Sequence, residues 1–557
     1  MSTVIECLED LRHNYDVLAE LICNYPDIES AKVDLYQQLK RVYRPAYELN
    51  QRIVFVLEQD IYNDAAQSGS FLQAIQIVLQ DIDISNFFVC IVTTNSDVDA
   101  EYQYIRSNIS IDPVSFHIYY CNGHFNRIRY NHSAIEGKIQ SLKNVDFDQL
   151  SAEHQKLLFN DPVFCIMPWI GVNVDTTGQV YPCCEFNKSH SIGTVKTQTL
   201  DKIWNSDSMK KIRKSMLLGE SVSACKNCYF KEQTKQNSLR INFNRDFSKE
   251  IYKIDQTLDD GGLPDVEIKY WDIRYNNLCN FACRGCNPSA SSSWYQVHNS
   301  LNPAKPLTVP LQQAADNQDQ VFEQIIKNID IVTTIYFAGG EPAMIENFYK
   351  VLDLLIEHQR FDVQLIYNIN MSRLSLKNKS LLTLWKHFKN VSVGASLDAD
   401  YNRASYLRVG TVWADIVKNR QLISEHCPHV DFWITATTGL INALHVPDFH
   451  QSWTEQGYIR ADDFNVALLL NPAYQSVLNA PTELKRKIID RYQQHLDWLR
   501  PQDTTGRAVQ GFIGVIELCK QTGHYDSDVF WQEVNKLDRY HGTDLLTTFP
   551  ELQNVGL

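Results

Sequence analysis

Cys279-Asn-Phe-Ala-Cys283-Arg-Gly-Cys286 is the stretch on which the reading of this chain turns. Its three thiols are separated by three residues and then by two, so the segment offers three ligands to one metal centre and lacks a fourth. Cysteine thiolates are the usual holders of iron–sulfur clusters. Four irons held by three cysteines leave one iron open to a cofactor or substrate. The competing reading is a zinc knuckle, which needs a fourth ligand from elsewhere to close its tetrahedron. The surroundings favour the cluster. Val266–Arg274 reads as a largely apolar strand leading straight into the triad, and Ser289-Ala-Ser-Ser-Ser-Trp294 follows with several hydroxyls able to cap a helix. A reactive loop at the C-terminal end of a strand is where α/β barrels carry chemistry.

Further along, the strand Thr333–Phe337 runs into Ala338-Gly339-Gly340-Glu341-Pro342. Two glycines allow close backbone approach to a ligand, and a carboxylate at a strand end can accept from an ammonium group. Taken alone, this is a turn before the helix Asn347–His358, whose Phe348, Val351, Leu354 and Leu355 share one face. Downstream of the cysteine triad it reads as part of the same site. The two motifs together resemble those of radical S-adenosylmethionine (SAM) enzymes. The resemblance implies that Cys279, Cys283 and Cys286 hold a SAM-binding [4Fe–4S] cluster, and that Gly339, Gly340, Glu341 and Pro342 hold the amino group of SAM. It also implies a partial (β/α)6 barrel. Strands at Val363–Asn370, Val391–Asp398 and Phe432–Thr437 keep the alternation that parallel pairing requires. Their ends, Asn370, Ser396 and Thr437, are candidates for the ribose or methionyl part of SAM, or else ordinary strand caps. Asp398 orients substrate or caps the next turn. Arg408 is either a carboxylate fork or, the blander reading, a surface ion pair.

A second cysteine set precedes this core. Phe164-Cys165 is followed by a hairpin from Val172 to Cys184 turning near Thr177-Gly178, by a helix expected over Leu200–Met216, and by Cys225-Lys-Asn-Cys228. The block resembles the SPASM/twitch modules that carry an auxiliary [4Fe–4S] cluster, although in most relatives the module follows the barrel. That resemblance implies ligation by Cys165, Cys183, Cys225 and Cys228, with Cys184 as an extra thiol. Four cysteines also suit structural zinc.

The chain has 557 residues, a formal charge of −14 and 14 cysteines. The length suggests three or four domains. The expected layout is an N-terminal α/β domain (1–150), the auxiliary module (160–232), a linker (233–265), the radical SAM core (266–450) and a mainly helical extension (451–557). In the first part, helices are expected near Cys7–Cys23, Ser30–Tyr47 and Phe71–Leu79, and strands at Arg52–Leu57, Asn86–Thr93 and Val114–Tyr120. It carries no phosphate loop or dinucleotide fingerprint, and His117, His124 and His132 read as core or surface residues. Cys7, Cys23, Cys90, Cys121, Cys427 and Cys519 read as buried thiols. Such usage fits a reducing compartment. With neither a secretory signal nor an apolar run of membrane length, a cytoplasmic location is expected. The acidic charge disfavours nucleic acid, and the basic run Lys210–Lys214 reads as a solvated helix face. Glu455, Asp462 and Asp463 read as surface acids.

The implied activity is reductive cleavage of SAM and hydrogen abstraction from a peptide or protein side chain or backbone, ending in crosslinking, epimerisation or oxidation. An electron donor such as flavodoxin or ferredoxin is implied as partner. A small molecule, such as a sugar or cofactor precursor, is the alternative substrate. Two other classes stay open: a non-catalytic metal-binding scaffold, and a zinc module fused to an unrelated α/β domain.

Overall fold

The computed structural model describes five strands among the first 131 residues, together with residues 150–233, 238–503 and 505–557. The chain divides into two compact units, Met1–Gln140 with Thr504–Gly506, and Ser141–Asp503 with Arg507–Leu557. In the first unit, β1 (Val17–Ile22), β2 (Arg52–Glu58), β3 (Phe87–Thr93), β4 (Ser115–Cys121) and β5 (Phe125–Asn131) form one sheet in that order. Its first four strands are parallel, and β5 closes as a hairpin on β4. Val17–Ile22 is thus a strand where a helix is expected over Cys7–Cys23; it pairs with β2 along its length. The expected helices Ser30–Tyr47 and Phe71–Leu79, and His124 and His132, lie outside the described residues.

The second unit is built on a nine-stranded sheet. Its first three strands along the chain are β6 (Gly171–Val174), β7 (Gln179–Tyr181) and β8 (Gly193–Thr194). β9 (Tyr270–Ile273) leads into the triad, whose Ala282–Cys283 is a short strand β10 outside the large sheet. Then follow β11 (Thr334–Phe337), β12 (Gln364–Ile369), β13 (Val391–Ser396), β14 (Arg408–Val409), β15 (Asp431–Thr438) and β16 (Phe464–Leu468). The order across the sheet is β16-β15-β13-β12-β11-β9-β6-β7-β8. From β16 to β9, and on to β6, every neighbouring pair is parallel. The hairpin strands therefore extend the same sheet that the parallel strands form. Gly178, at φ 84°, makes the expected turn between β6 and β7.

The two faces of the parallel strands differ, because successive side chains point to opposite sides. Ile335, Phe337, Leu365, Tyr367, Ile369, Val393, Ala395, Ile434 and Ala436 are fully buried. They lie beneath helices such as Glu346–Glu357, whose Phe348, Val351, Leu352 and Leu355 face inward. Phe337 stacks on Tyr367 at 4.3 Å, and Phe348 meets Phe337 edge-on at 5.0 Å. The other face carries Asp272, Tyr336, Asn368, Gly394, Ser396, Trp433, Thr435 and Asn465, in register across neighbouring strands. It is polar and mostly half-buried.

Several expected elements differ. The helix Leu200–Met216 is two helices, Leu200–Trp204 and Asp207–Leu217, because the Ser206 hydroxyl accepts from Met209 N and starts a new cap. Residues 233–265 contain the helix Leu239–Asp246, with Phe243 and Asn244 buried, so this stretch packs into the fold. β16 lies in the stretch expected to be mainly helical. Asp462 and Asp463, expected on the surface, are buried. Asp463 takes both arms of Arg460 at 3.1 and 2.8 Å. Within the basic run, Arg213 is fully buried and donates to Pro168 O at 2.8 Å. Cys427 and Cys519 are buried as expected. The helices Thr482–Leu499, Arg507–Lys520 and Ser527–His541 supply the helical character expected of the C-terminal part. Among the described residues no helix is long and apolar enough to cross a membrane.

His450 and His495 hydrogen-bond to each other at 2.9 Å inside a cluster with Phe464, Trp498 and Phe512. Burial holds both imidazoles well below their usual range. The unfolded chain takes up protons at these positions below about pH 6.5, while the folded chain does not. Their contribution is therefore complete above that pH and declines as the pH falls towards the depressed folded values. A thermal melt series from pH 7.5 to pH 4 is expected to show Tm falling with acid, and falling less steeply in His450→Phe/His495→Leu.

Candidate cluster and cofactor site

The triad sits in a loop held from three directions. Its β10 pairs antiparallel with β14, placing Cys283 opposite Arg408 and Ala282 opposite Val409. Gly410, at φ 110°, permits this approach; a Cβ there would meet Asn280 O and Phe281 Cδ1 at 2.8 Å. The serines after the triad do not cap the helix Trp294–Leu301 through a side chain. They tie the loop instead. Ser291 Oγ donates to Phe281 O at 2.6 Å, and Ser293 Oγ donates to Cys279 O at 2.7 Å. Ser292 Oγ accepts from Cys279 N at 3.1 Å. From the far side, Arg284 stacks over Tyr406 at 3.7 Å and reaches Asp538 at 2.6 Å on the C-terminal helix.

The three thiols are near enough to feel one another. Cys279 is pushed up to about 11 by burial, with Glu341 and Cys286 adding to the rise. Cys283 is pushed up to about 12 by burial, against the pull of Arg408, with Cys286 and Cys279 also raising it. Phe281 N donates to Cys279 Sγ at 3.5 Å and Arg408 Nη1 to Cys283 Sγ at 3.9 Å. Three converging thiols, two of them already met by N–H donors, suit a group that demands thiolates. Among the described residues no set of three or more His, Cys, Asp or Glu side chains is arranged to hold a single metal ion. The thiols are neighbours without forming a closed tetrahedron.

The Gly339–Pro342 turn lies directly against this loop. Glu341 N donates to Leu278 O at 2.7 Å. Gly340 has φ 54°, and a Cβ there would stand 2.3 Å from Leu278 O. Gly339, at φ 87°, leaves room for the Arg274 side chain, which a Cβ would meet at 2.5 Å. The Glu341 carboxylate is buried and accepts from Ala343 N at 3.1 Å and Asn370 N at 2.7 Å. It braces the ends of β11 and β12, and each oxygen keeps acceptor capacity. Burial raises it to about 7, against those two backbone donors. Asn370 donates to Asn280 Oδ1 at 2.9 Å, joining the turn to the triad loop. Ser396 donates to Asn368 Oδ1 at 2.8 Å on the polar face. Thr437 N donates to Asp398 at 2.7 Å.

Arg408 is no surface ion pair. Its side chain is only 14% exposed, and it forks onto Asp398 at 2.8 and 2.9 Å. The spacing Asp398…Arg408 is visible in the sequence, but nothing there places the pair at the cysteine loop.

In the second set, burial raises Cys165, and the neighbouring Cys225 and Cys228 raise it further. Cys183 responds to burial and then to Cys184, Cys165, Cys225 and Cys228. Each of these four thiols is therefore within electrostatic reach of others in the set. Cys184 is pushed up to about 12 by burial and by Asp272, with Arg274 pulling it down, so it faces the polar side of β9. Arg240 stands beside Cys165, Cys225 and Cys228, donates to Phe164 O at 2.8 Å and is held by Glu232 at 2.9 Å. The sequence reading passed over Arg240 because it falls in the presumed linker.

Residues 165–229 match the SPASM family, an iron–sulfur cluster-binding domain. Over 237 residues the chain is 23% identical to the radical SAM cyclopropyl synthase TigE of Paramaledivibacter caminithermalis, an alignment covering 42% of this chain and 48% of that protein. Residues 165–229 are thus a SPASM-type iron–sulfur cluster-binding module, and the chain is similar to radical SAM enzymes. It spans about half the length of the curated relative it matches. Solved radical SAM structures similar to it include anSMEcpe with bound AdoMet and Cp18Cys peptide, at 18% identity and TM-score 0.28, covering 40% of this chain and 56% of that one. Another is the cobalamin-dependent radical enzyme OxsB with aqua-cobalamin, at 10% identity and TM-score 0.26, covering 97% and 63%.

Gly340→Ala tests the contact between turn and loop. Its Cβ meets a backbone carbonyl, so the loop must shift. Reconstituted protein is expected to lose the iron held by the triad while retaining that of the SPASM module, read by iron analysis on this variant and on Gly340→Ala/Cys225→Ala.

Proposed function

We propose that this chain is a radical SAM enzyme that cleaves SAM reductively at a [4Fe–4S] cluster held by Cys279, Cys283 and Cys286, and abstracts a hydrogen from a peptide or protein substrate. One observation carries the reading: three half-buried thiols within electrostatic reach of one another lie in a loop that the Gly339–Pro342 turn touches through Glu341 N and Leu278 O. When bound, the cluster and SAM supply a one-electron cleavage of the S–C5′ bond and a 5′-deoxyadenosyl radical. The protein's own residues bind, orient and exclude water. Glu341 offers its remaining lone pairs to the SAM ammonium group. Asn370 and Ser396 line the ends of β12 and β13 for the ribose or methionyl part. The expected partial (β/α)6 barrel corresponds to β9, β11, β12, β13, β15 and β16, whose half-buried polar face would hold the substrate.

Cys165, Cys183, Cys225 and Cys228 are proposed to ligate an auxiliary [4Fe–4S] cluster with no open iron. Cys184, turned towards Asp272, is left free for the polar face. The peptide class is favoured by the SPASM resemblance. The relative named as a cyclopropyl synthase makes carbon–carbon bond formation one outcome to seek among products. A low-potential donor such as flavodoxin or ferredoxin would supply the electron.

Anaerobic reconstitution with SAM and dithionite tests this. About eight irons per chain and 5′-deoxyadenosine are expected. Cys283→Ala is expected to abolish the nucleoside, and Cys225→Ala to remove about four irons. Iron with no nucleoside, even with candidate substrates, would indicate the scaffold reading, and zinc in place of the auxiliary iron would indicate a structural module. Glu341→Gln is expected to keep its iron while SAM binding weakens about tenfold, the loss of one hydrogen bond to a charged partner.

A further inference from the structure

Arg408 is the one cation whose guanidinium reaches a thiol of the triad in any hydrogen bond among the described residues. The contact is built into the backbone. β10 and β14 pair residue for residue, with Cys283 opposite Arg408. Leu407 O accepts from Arg284 N at 2.8 Å, which fixes the ladder on its other side. Thr411 N donates to Arg408 O at 3.0 Å and closes the turn at Gly410. The side chain is held equally firmly. Nε and Nη2 fork onto Asp398, leaving Nη1 aimed at Cys283 Sγ at 3.9 Å. Asp398 is in turn fixed by Thr437 N at 2.7 Å, and its carbonyl by Asn442 Nδ2 at 2.9 Å.

An arginine needed only for packing would not require this orientation. A guanidinium stays charged at every working pH, and hydrogen bonds to cluster sulfurs and local charge are what set cluster potentials. We propose that Arg408 and Asp398 form a charge couple that sets the reduction potential of the open cluster, Arg408 raising it and Asp398 limiting the rise. This rests on the cluster assignment made under Proposed function. The redox step is the addition of one electron, taken from a low-potential donor that is itself oxidised by one electron. Added negative charge is favoured by the nearby guanidinium and opposed by the carboxylate. Arg408 is thus a positioning residue: it touches a ligand of the cluster and not the substrate.

The test is a potentiometric titration of reconstituted, full-length protein followed by electron paramagnetic resonance, without SAM. A parallel sample with SAM identifies which signal belongs to the open cluster. Arg408→Gln is expected to reduce the reduced-to-oxidised ratio of that cluster about tenfold at a fixed potential, a downward shift of about 59 mV for one electron. Asp398→Asn keeps an acceptor for Thr437 N and is expected to shift the potential upwards. Arg408→Lys retains the charge and is expected to stay within about threefold of wild type. Opposite signs for Arg408→Gln and Asp398→Asn support the couple. Equal signs, or no shift in either with iron content intact, overturn it. If Arg408→Gln fails to load iron, an unshifted Asp398→Asn overturns it alone. Absence of any SAM-sensitive signal in the wild type would instead defeat the cluster assignment.

Discussion

The ladder between β6 and β9 is the constraint on which the rest of the second unit depends. Gly171 pairs with Tyr270, Asn173 with Asp272 and Val174 with Ile273, all in parallel. A parallel pairing cannot be made by a tight hairpin and needs a long crossover. Here that crossover contains the rest of the SPASM module after β6, with its helices. The module is therefore part of the sheet and not an appendage on a linker. This placement brings Asn173 alongside Asp272, turns Cys184 towards the polar face, and leaves Cys165, Cys183, Cys225 and Cys228 within electrostatic reach of others in the set, with Arg240 beside Cys165, Cys225 and Cys228.

A second regularity follows from burying thiols. Desolvation disfavours the thiolate that a metal group requires, and both sets show it, with each reported thiol raised chiefly by burial. Each set also has one arginine beside it. Arg408 is braced by Asp398 and Arg240 by Glu232. A braced arginine offers positive charge without wandering, because its fork is fixed by a bidentate carboxylate. Each site thus sets an arginine–carboxylate pair beside its thiols, on unrelated local folds.

What could be read in the sequence was whatever is carried by short spacing. The triad, the Gly-Gly-Glu-Pro turn, the hairpin around Gly178 and the C-terminal helices depend on neighbours a few residues apart, and the structure has them. What could not be read depends on distant partners. Ser291, Ser292 and Ser293 look like helix caps until the carbonyls of Cys279 and Phe281 are placed beside them. Arg408 looks like a surface charge until β14 docks on β10. Asp462 and Asp463 resemble any exposed acidic pair, since burial leaves no mark on residue type. The strand Val17–Ile22 was hidden because a short apolar run fits helix and strand equally until its pairing partner is known.

The shared sheet also bears on how this protein can be divided. β9 has β11 on one side and β6 on the other. A fragment beginning near Val266 would strip β6 away and expose the backbone of Tyr270–Ile273 along one whole edge. Open edges of this kind recruit strands from other chains. Through β6, the SPASM module thus covers an edge of β9 that a fragment cut near Val266 would leave open.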